Sequence, residues 1–204
     1  MPTKRIARIR LSHLERRPRR GLMRTRDLEA KGTSRPDIRR LVDAGKLERV
    51  GRGMYASAGF QATEHHGLAA AALRVPGGVV CLLSALQFHG IGTQAPFEIW
   101  LAIGVKDRKP TVPDLPLRIV RFSHSTLEHG FETHVIEGVP VKITTAARTV
   151  ADCFKYRNKI GLDVALEALR EYLRSRRSVD DLTRAAGAVR VANVMRPYLE
   201  AIVS

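Results

Sequence analysis

The chain of 204 residues carries 35 lysines and arginines against 20 acidic residues, a formal net charge of +15. An apolar fraction of 44% is enough for an ordinary core. No apolar run is long enough to span a bilayer, and the basic N-terminus lacks the apolar stretch and cleavage site of a signal peptide.

Two cysteines, Cys81 and Cys153, have no CxxC spacing and are expected to be reduced and buried in a cytoplasmic protein. The charge is unevenly placed. Residues 1–57 hold 17 Lys and Arg against 6 Asp and Glu, whereas residues 58–204 hold 18 against 14. A field concentrated in the first quarter of the chain points to a polyanionic partner, and nucleic acid leads the candidates.

In chain order, residues 4–17 read as a basic helix with Ile6, Ile9 and Leu14 as its stripe, closed by Pro18. A turn at Gly21 and a short extended stretch at Leu22 and Met23 follow. Thr25 is expected to cap a second helix that buries Leu28 and stops before Gly32. Ser34 is expected to cap a third, with Asp37 three residues on as its capping partner. Ile38, Leu41 and Val42 then form one buried stripe, with Arg35, Arg39, Arg40 and Asp43 off it and Gly45 at the end. "LERV" and "MYAS" read as short strands around Gly51-Arg52-Gly53. Helices followed by a tiny basic hairpin follow the winged helix-turn-helix plan, in which the last helix enters the major groove.

Small residues from 58 to 62 suggest a linker, giving a winged domain at 1–57 and a second domain at 63–204. The second domain opens with a helix from Glu64 to Arg74, broken by Pro76, Gly77 and Gly78. "VVCLLSALQFHGIG" reads as a buried strand and a helix, 97–103 and 117–122 as strands, and 131–144 as a hairpin around Gly138. Beyond Thr144 three or four helical segments are expected. The fold class is α+β: an N-terminal winged helix-turn-helix, then a mixed α+β domain ending in helices.

The stretch "RTRDLEAKGTSRPDIRRLVDAGKLERVGRGMYA" resembles the N-terminal winged helix of the AbiEi antitoxins, from the AbiE toxin–antitoxin systems of abortive infection. "LSALQFHGI" (83–91) and "VKITTAARTVADCF" (141–154) resemble the C-terminal half of the same family. The resemblance implies a bacterial autorepressor that binds inverted repeats in promoter DNA. It also implies that the C-terminal domain counters a nucleotidyltransferase-like toxin without requiring a stable complex. Dimerisation on DNA is expected from the repeats.

Arg35, Arg39 and Arg40 are assigned to base edges, because arginine pairs bidentately with guanine O6 and N7; for Arg40 the alternative is a bracing role. Thr25, Arg26, Ser34, Arg49 and Arg52 are assigned to phosphates, with Lys4, Arg5 and Arg8 as a further backbone clamp. At the start of the next helix Thr144 or Thr145 is the candidate cap, and Arg148 and Asp152 form an i, i+4 pair; Thr145, Arg148 and Asp152 are the candidate contact residues. These three carry two readings, a well-capped structural helix or a contact surface for antitoxicity. Adjacent His65 and His66 diverge by about 100° on a helix, and His124 and His129 lack i, i+4 spacing, so no metal is expected. No cofactor is expected either. A nuclease or nucleotidyltransferase would need clustered carboxylates, and the acids here stand singly. The remaining alternative is an ordinary regulator or an architectural DNA-binding protein with no toxin partner.

Overall fold

A computed structural model describes residues 21–203. The expected helix at 4–17, with Lys4, Arg5 and Arg8, lies outside the described residues. The chain enters through a two-residue strand, β1 (Met23–Arg24), and two helices, α1 (Thr25–Ala30) and α2 (Arg35–Asp43). A hairpin follows, β2 (Leu47–Gly51) and β3 (Met54–Ser57), and the three strands form a small antiparallel sheet in the order β1-β3-β2. Met23, Leu28, Ile38, Leu41 and Leu47 are buried together between these elements.

Local chemistry sets the boundaries. The Ser34 hydroxyl accepts from the Asp37 amide at 3.3 Å and donates to its carboxylate at 2.5 Å, so α2 begins as its capping motif requires. Thr25 differs from expectation. It is the first residue of α1, not its cap, and its N–H and hydroxyl both reach the Gly53 carbonyl, at 3.0 and 3.4 Å. The Asp27 carboxylate instead accepts from the Arg24 amide and guanidinium, at 3.3, 2.8 and 3.0 Å.

The larger unit is an α+β arrangement around a five-stranded mixed sheet. It contains α3 (His66–Arg74), β4 (Val79–Val80), α4 (Leu82–His89), β5 (Ile99–Gly104), β6 (Leu117–Phe122), α5 (His124–Glu128), β7 (Phe131–Ile136) and β8 (Val139–Thr144). The strand order is β6-β5-β4-β8-β7, with β4 parallel to β8 and antiparallel to β5. Five helices follow where three or four were expected: α6 (Ala146–Lys155), α7 (Arg157–Ile160), α8 (Leu162–Arg174), α9 (Val179–Ala188) and α10 (Ala192–Val203).

Alternation along the strands gives the sheet two apolar faces. Val79, Trp100, Ala102, Val120 and Phe122 join the core that holds Leu86, Phe154 and Leu169, under α4, α6 and α8. Val80, Leu101, Val141 and Ile143 face the other way, under α3. That second core also contains Leu22, Met54 and Ala56, so the N-terminal unit shares apolar packing with the sheet rather than standing apart from it. Arg24 adds a polar link across this seam, its Nη1 donating to the Leu73 carbonyl at 2.8 Å. No helix among the described residues is long and apolar enough to cross a membrane.

Leu28 is 1% exposed at the centre of the five-residue core under α2. Leu28→Ala should lower stability by about 2–5 kcal/mol through lost transfer energy and the cavity left behind. Thermal melts of the variant will measure it.

Candidate nucleic-acid interface

Helix α2 buries Ile38 and Leu41 and half-buries Val42, which turns its other side outward. At about 100° per residue, Arg39, Arg40 and Asp43 fall roughly opposite that stripe, with Arg35 at its flank. All four are exposed. Arg35 leans back to α1, where its Nε meets Glu29 Oε1 at 2.8 Å, and Arg40 Nη1 stands 3.2 Å from Asp37 Oδ1. Exposed pairs of this kind hold a side chain weakly, at about 0–1 kcal/mol. Both guanidiniums therefore stay available to a stronger partner. Arg39 makes no ion pair among the described residues.

The hairpin tip stands beside the start of α1. The Thr25 amide and hydroxyl hold the Gly53 carbonyl, and the arginines that flank this contact in the chain, Arg26 and Arg52, are both exposed. Gly53 takes φ +68°, a left-handed conformation that glycine adopts without penalty, and the strands resume with a bulge between Arg49 and Gly51. Arg49 is exposed, and its Nε donates to the Gly51 carbonyl at 3.4 Å.

The residues expected to touch bases thus share α2, and those expected to touch phosphates gather at its N-cap, the hairpin and the start of α1. Sequence reasoning missed Arg24. It is half-buried, and its guanidinium holds the Asp27 carboxyl below the usual carboxylate range. The Arg-x-x-Asp spacing was the available signal.

The trio on α6 is arranged differently. Thr145 caps the helix, its hydroxyl accepting from the Arg148 amide at 3.2 Å, and Arg148 Nε meets Asp152 Oδ2 at 2.9 Å. Arg148 Nη1 also donates to the carbonyls of Thr126 and His129, both at 3.2 Å, and the guanidinium lies over the Phe122 ring. Arg148 is 3% exposed and Asp152 is 0%. Of the two readings, this burial favours the structural helix: Arg148 and Asp152 brace the interior beneath α5, and half-buried Thr145 reaches the outside. Burial pushes the Asp152 carboxyl up to about 6, against the pull of Arg148. Beside the pair lies a cavity of about 650 Å³ lined by residues that include His129, Thr145, Arg177, Asp181 and Arg184.

The cysteines are both free and buried. His65, His89 and His134 surround Phe88, with ring centroids at 4.9, 5.4 and 4.8 Å, a grouping that no sequence spacing announced. Among the described residues no three His, Cys, Asp or Glu side chains are placed to hold a metal ion.

Asp152→Ala should cost about 3–5 kcal/mol, because it leaves the Arg148 charge buried and unpaired. The double variant Arg148→Met, Asp152→Leu should recover most of that loss in denaturant melts, since it removes both charges.

Comparison with known proteins adds the following. No curated protein matches the chain. Among solved structures it is similar to the crystal structure of the RV2827C protein from Mycobacterium tuberculosis, with 15% identity and a TM-score of 0.49 over 95% of this chain and 80% of that one. The segments 83–91 and 141–154, read above as resembling the C-terminal half of the AbiEi antitoxins, lie outside the region matched by a family profile. That region, residues 6–58, matches the model of the family described as transcriptional regulator, AbiEi antitoxin, which supports a DNA-binding regulatory or antitoxin role in general.

Proposed function

We propose that the protein is a DNA-binding autorepressor and antitoxin of a bacterial toxin–antitoxin operon, and that it acts by binding rather than by catalysis. The observation that carries this reading is the exposed arginine face of α2, opposite Ile38 and Leu41 and next to the Arg52 hairpin. In this reading residues 1–57 form a winged helix-turn-helix, 58–62 the linker and 63–204 the antitoxin domain. Helix α2 lies in the major groove with Arg35, Arg39 and Arg40 on base edges, and Asp43 on the same face can accept from a cytosine amino group. Arg26, Ser34, Arg49 and Arg52 meet the phosphates on either side, while Thr25, both of whose donors are taken by Gly53, serves by seating the hairpin. The promoter site consists of inverted repeats occupied by two copies of the chain, in keeping with helix-turn-helix dimers on palindromic operators.

Antitoxicity is assigned to the second domain, toward a nucleotidyltransferase-like toxin and without need of a stable complex. This assignment is supported by the resemblance of its segments 83–91 and 141–154 and by its near balance of charge.

Arg39→Ala should weaken binding to the operator by about 1–3 kcal/mol and relax selectivity at one or two base pairs. Arg52→Ala should weaken binding equally on operator and scrambled DNA and lower the salt slope by about one. Titrations on both duplexes at several salt concentrations separate the two behaviours. Equal losses on both duplexes for Arg39→Ala would reduce α2 to a backbone clamp.

In cells, the full chain carrying Arg35→Ala and Arg39→Ala should lose repression of its promoter yet still rescue growth from the toxin. Loss of rescue in that variant would place antitoxicity in transcriptional control.

A further inference from the structure

Besides the apolar seam and the Arg24–Leu73 hydrogen bond, the N-terminal unit is tied down where its chain enters and where it leaves, and one residue holds both places. Glu137 sits in the two-residue turn between β7 and β8, where Ile136 pairs with Val139. Its carbonyl accepts from the Leu22 amide at 2.9 Å, where the described chain runs into β1. Its carboxylate accepts from the segment that leaves the unit: Oε1 takes the Thr63 amide at 2.7 Å and the Thr63 hydroxyl at 3.0 Å, just past the linker. Oε2 takes His66 Nδ1 at 2.9 Å, in the first turn of α3. The carboxylate is shut away from solvent, with the side chain 1% exposed.

Two further features show that the geometry at this point is specific. Glu137 has φ +50° and Gly138 φ +75°, the double left-handed turn that ordinarily selects Asn-Gly or Asp-Gly. A longer acidic side chain stands there at a conformational cost, and the shorter ones could not span to Thr63 and His66 together. Gly21 supplies the second feature. A Cβ at that position would overlap the Glu137 carbonyl and crowd the Gly138 Cα, so the incoming strand is packed directly on the turn.

We propose that Glu137 is a latch that fixes the orientation of the N-terminal unit on the five-stranded sheet. Its carbonyl holds the segment before β1 and its carboxylate the segment after the linker, so opening this one residue leaves, among the described residues, the apolar seam and the Arg24–Leu73 bond to orient the unit. A partner that engages the β7–β8 turn thereby gains control over how α2 is presented. The latch is a property of the fold, and only its consequence for DNA rests on the proposed function.

Hydrogen exchange on the full chain tests it. Glu137→Asn keeps a side chain suited to the turn and removes the reach to Thr63 and His66. The Thr63 amide should then exchange about tenfold faster or more, while Leu22, held by the backbone carbonyl of residue 137, and Val141 and Ile143 in β8 keep their protection. Gly21→Ala should open the Leu22 side of the same seam. Unchanged protection at Thr63 in Glu137→Asn, or at Leu22 in Gly21→Ala, would overturn the latch. If Glu137→Asn loses its fold, Glu137→Asp, equally short and suited to the turn, replaces it: Thr63 opened with β8 intact supports the latch, and loss of protection in β8 as well makes Glu137 a folding element and overturns it. On DNA, the opened variant should bind a single half-site as before and tolerate altered spacing between two half-sites. A wild-type chain that binds no DNA defeats the proposed function and leaves the exchange result standing.

Discussion

Burial of five side chains, Met23, Leu28, Ile38, Leu41 and Leu47, decides which way α2 faces. With Ile38 and Leu41 inside, Arg39 and Arg40 have no place but the surface. The core is small for the task, since short segments bury only a modest share of their surface. The unit makes up the difference by extending a second apolar cluster from Leu22, Met54 and Ala56 onto α3 and the sheet. The arrangement that orients the arginines is thus tied mechanically to the larger unit.

This coupling gives the charge distribution a structural meaning. The excess of basic residues lies in the first 57 positions, while the larger unit carries the mass and most of the core. Its interior is mostly apolar, with Ser84, Thr144 and Thr149 buried as uncharged polar residues and a charged pair among them. Arg148 and Asp152 are buried as a pair, and the guanidinium also holds two carbonyls at the end of α5. Such pairs are weak sources of net stability but strict about position, because either charge alone is costly to bury. The helix that follows β8 is therefore fixed in register against the sheet and α5.

Much of the N-terminal unit was legible in the sequence because its signals are local. Ser34 and Asp37 are three residues apart, the α2 stripe repeats within one helix, and Gly51-Arg52-Gly53 marks its own turn. The cap of α1 was misread at Thr25, since Asp27 and Arg24 satisfied that end instead and Gly53 claimed the threonine. The i, i+4 spacing announced the Arg148–Asp152 pair, but not its burial, which comes from packing of α6 against α8 and α9 far along the chain. Glu137 was the least legible residue of all. In sequence it is one acid in a hairpin turn, and its partners Leu22, Thr63 and His66 lie more than seventy positions away. The ring of histidines around Phe88 is hidden for the same reason.

The claim that α2 and the hairpin form the DNA-reading face is tested most directly by an amide-resolved titration of the full chain with its promoter duplex. The account predicts saturable shifts concentrated in Ser34–Asp43 and Arg49–Gly53, diminished on scrambled DNA for the helix and retained for the hairpin. Saturable shifts centred on the five-stranded sheet or the C-terminal helices, with α2 silent, would contradict it.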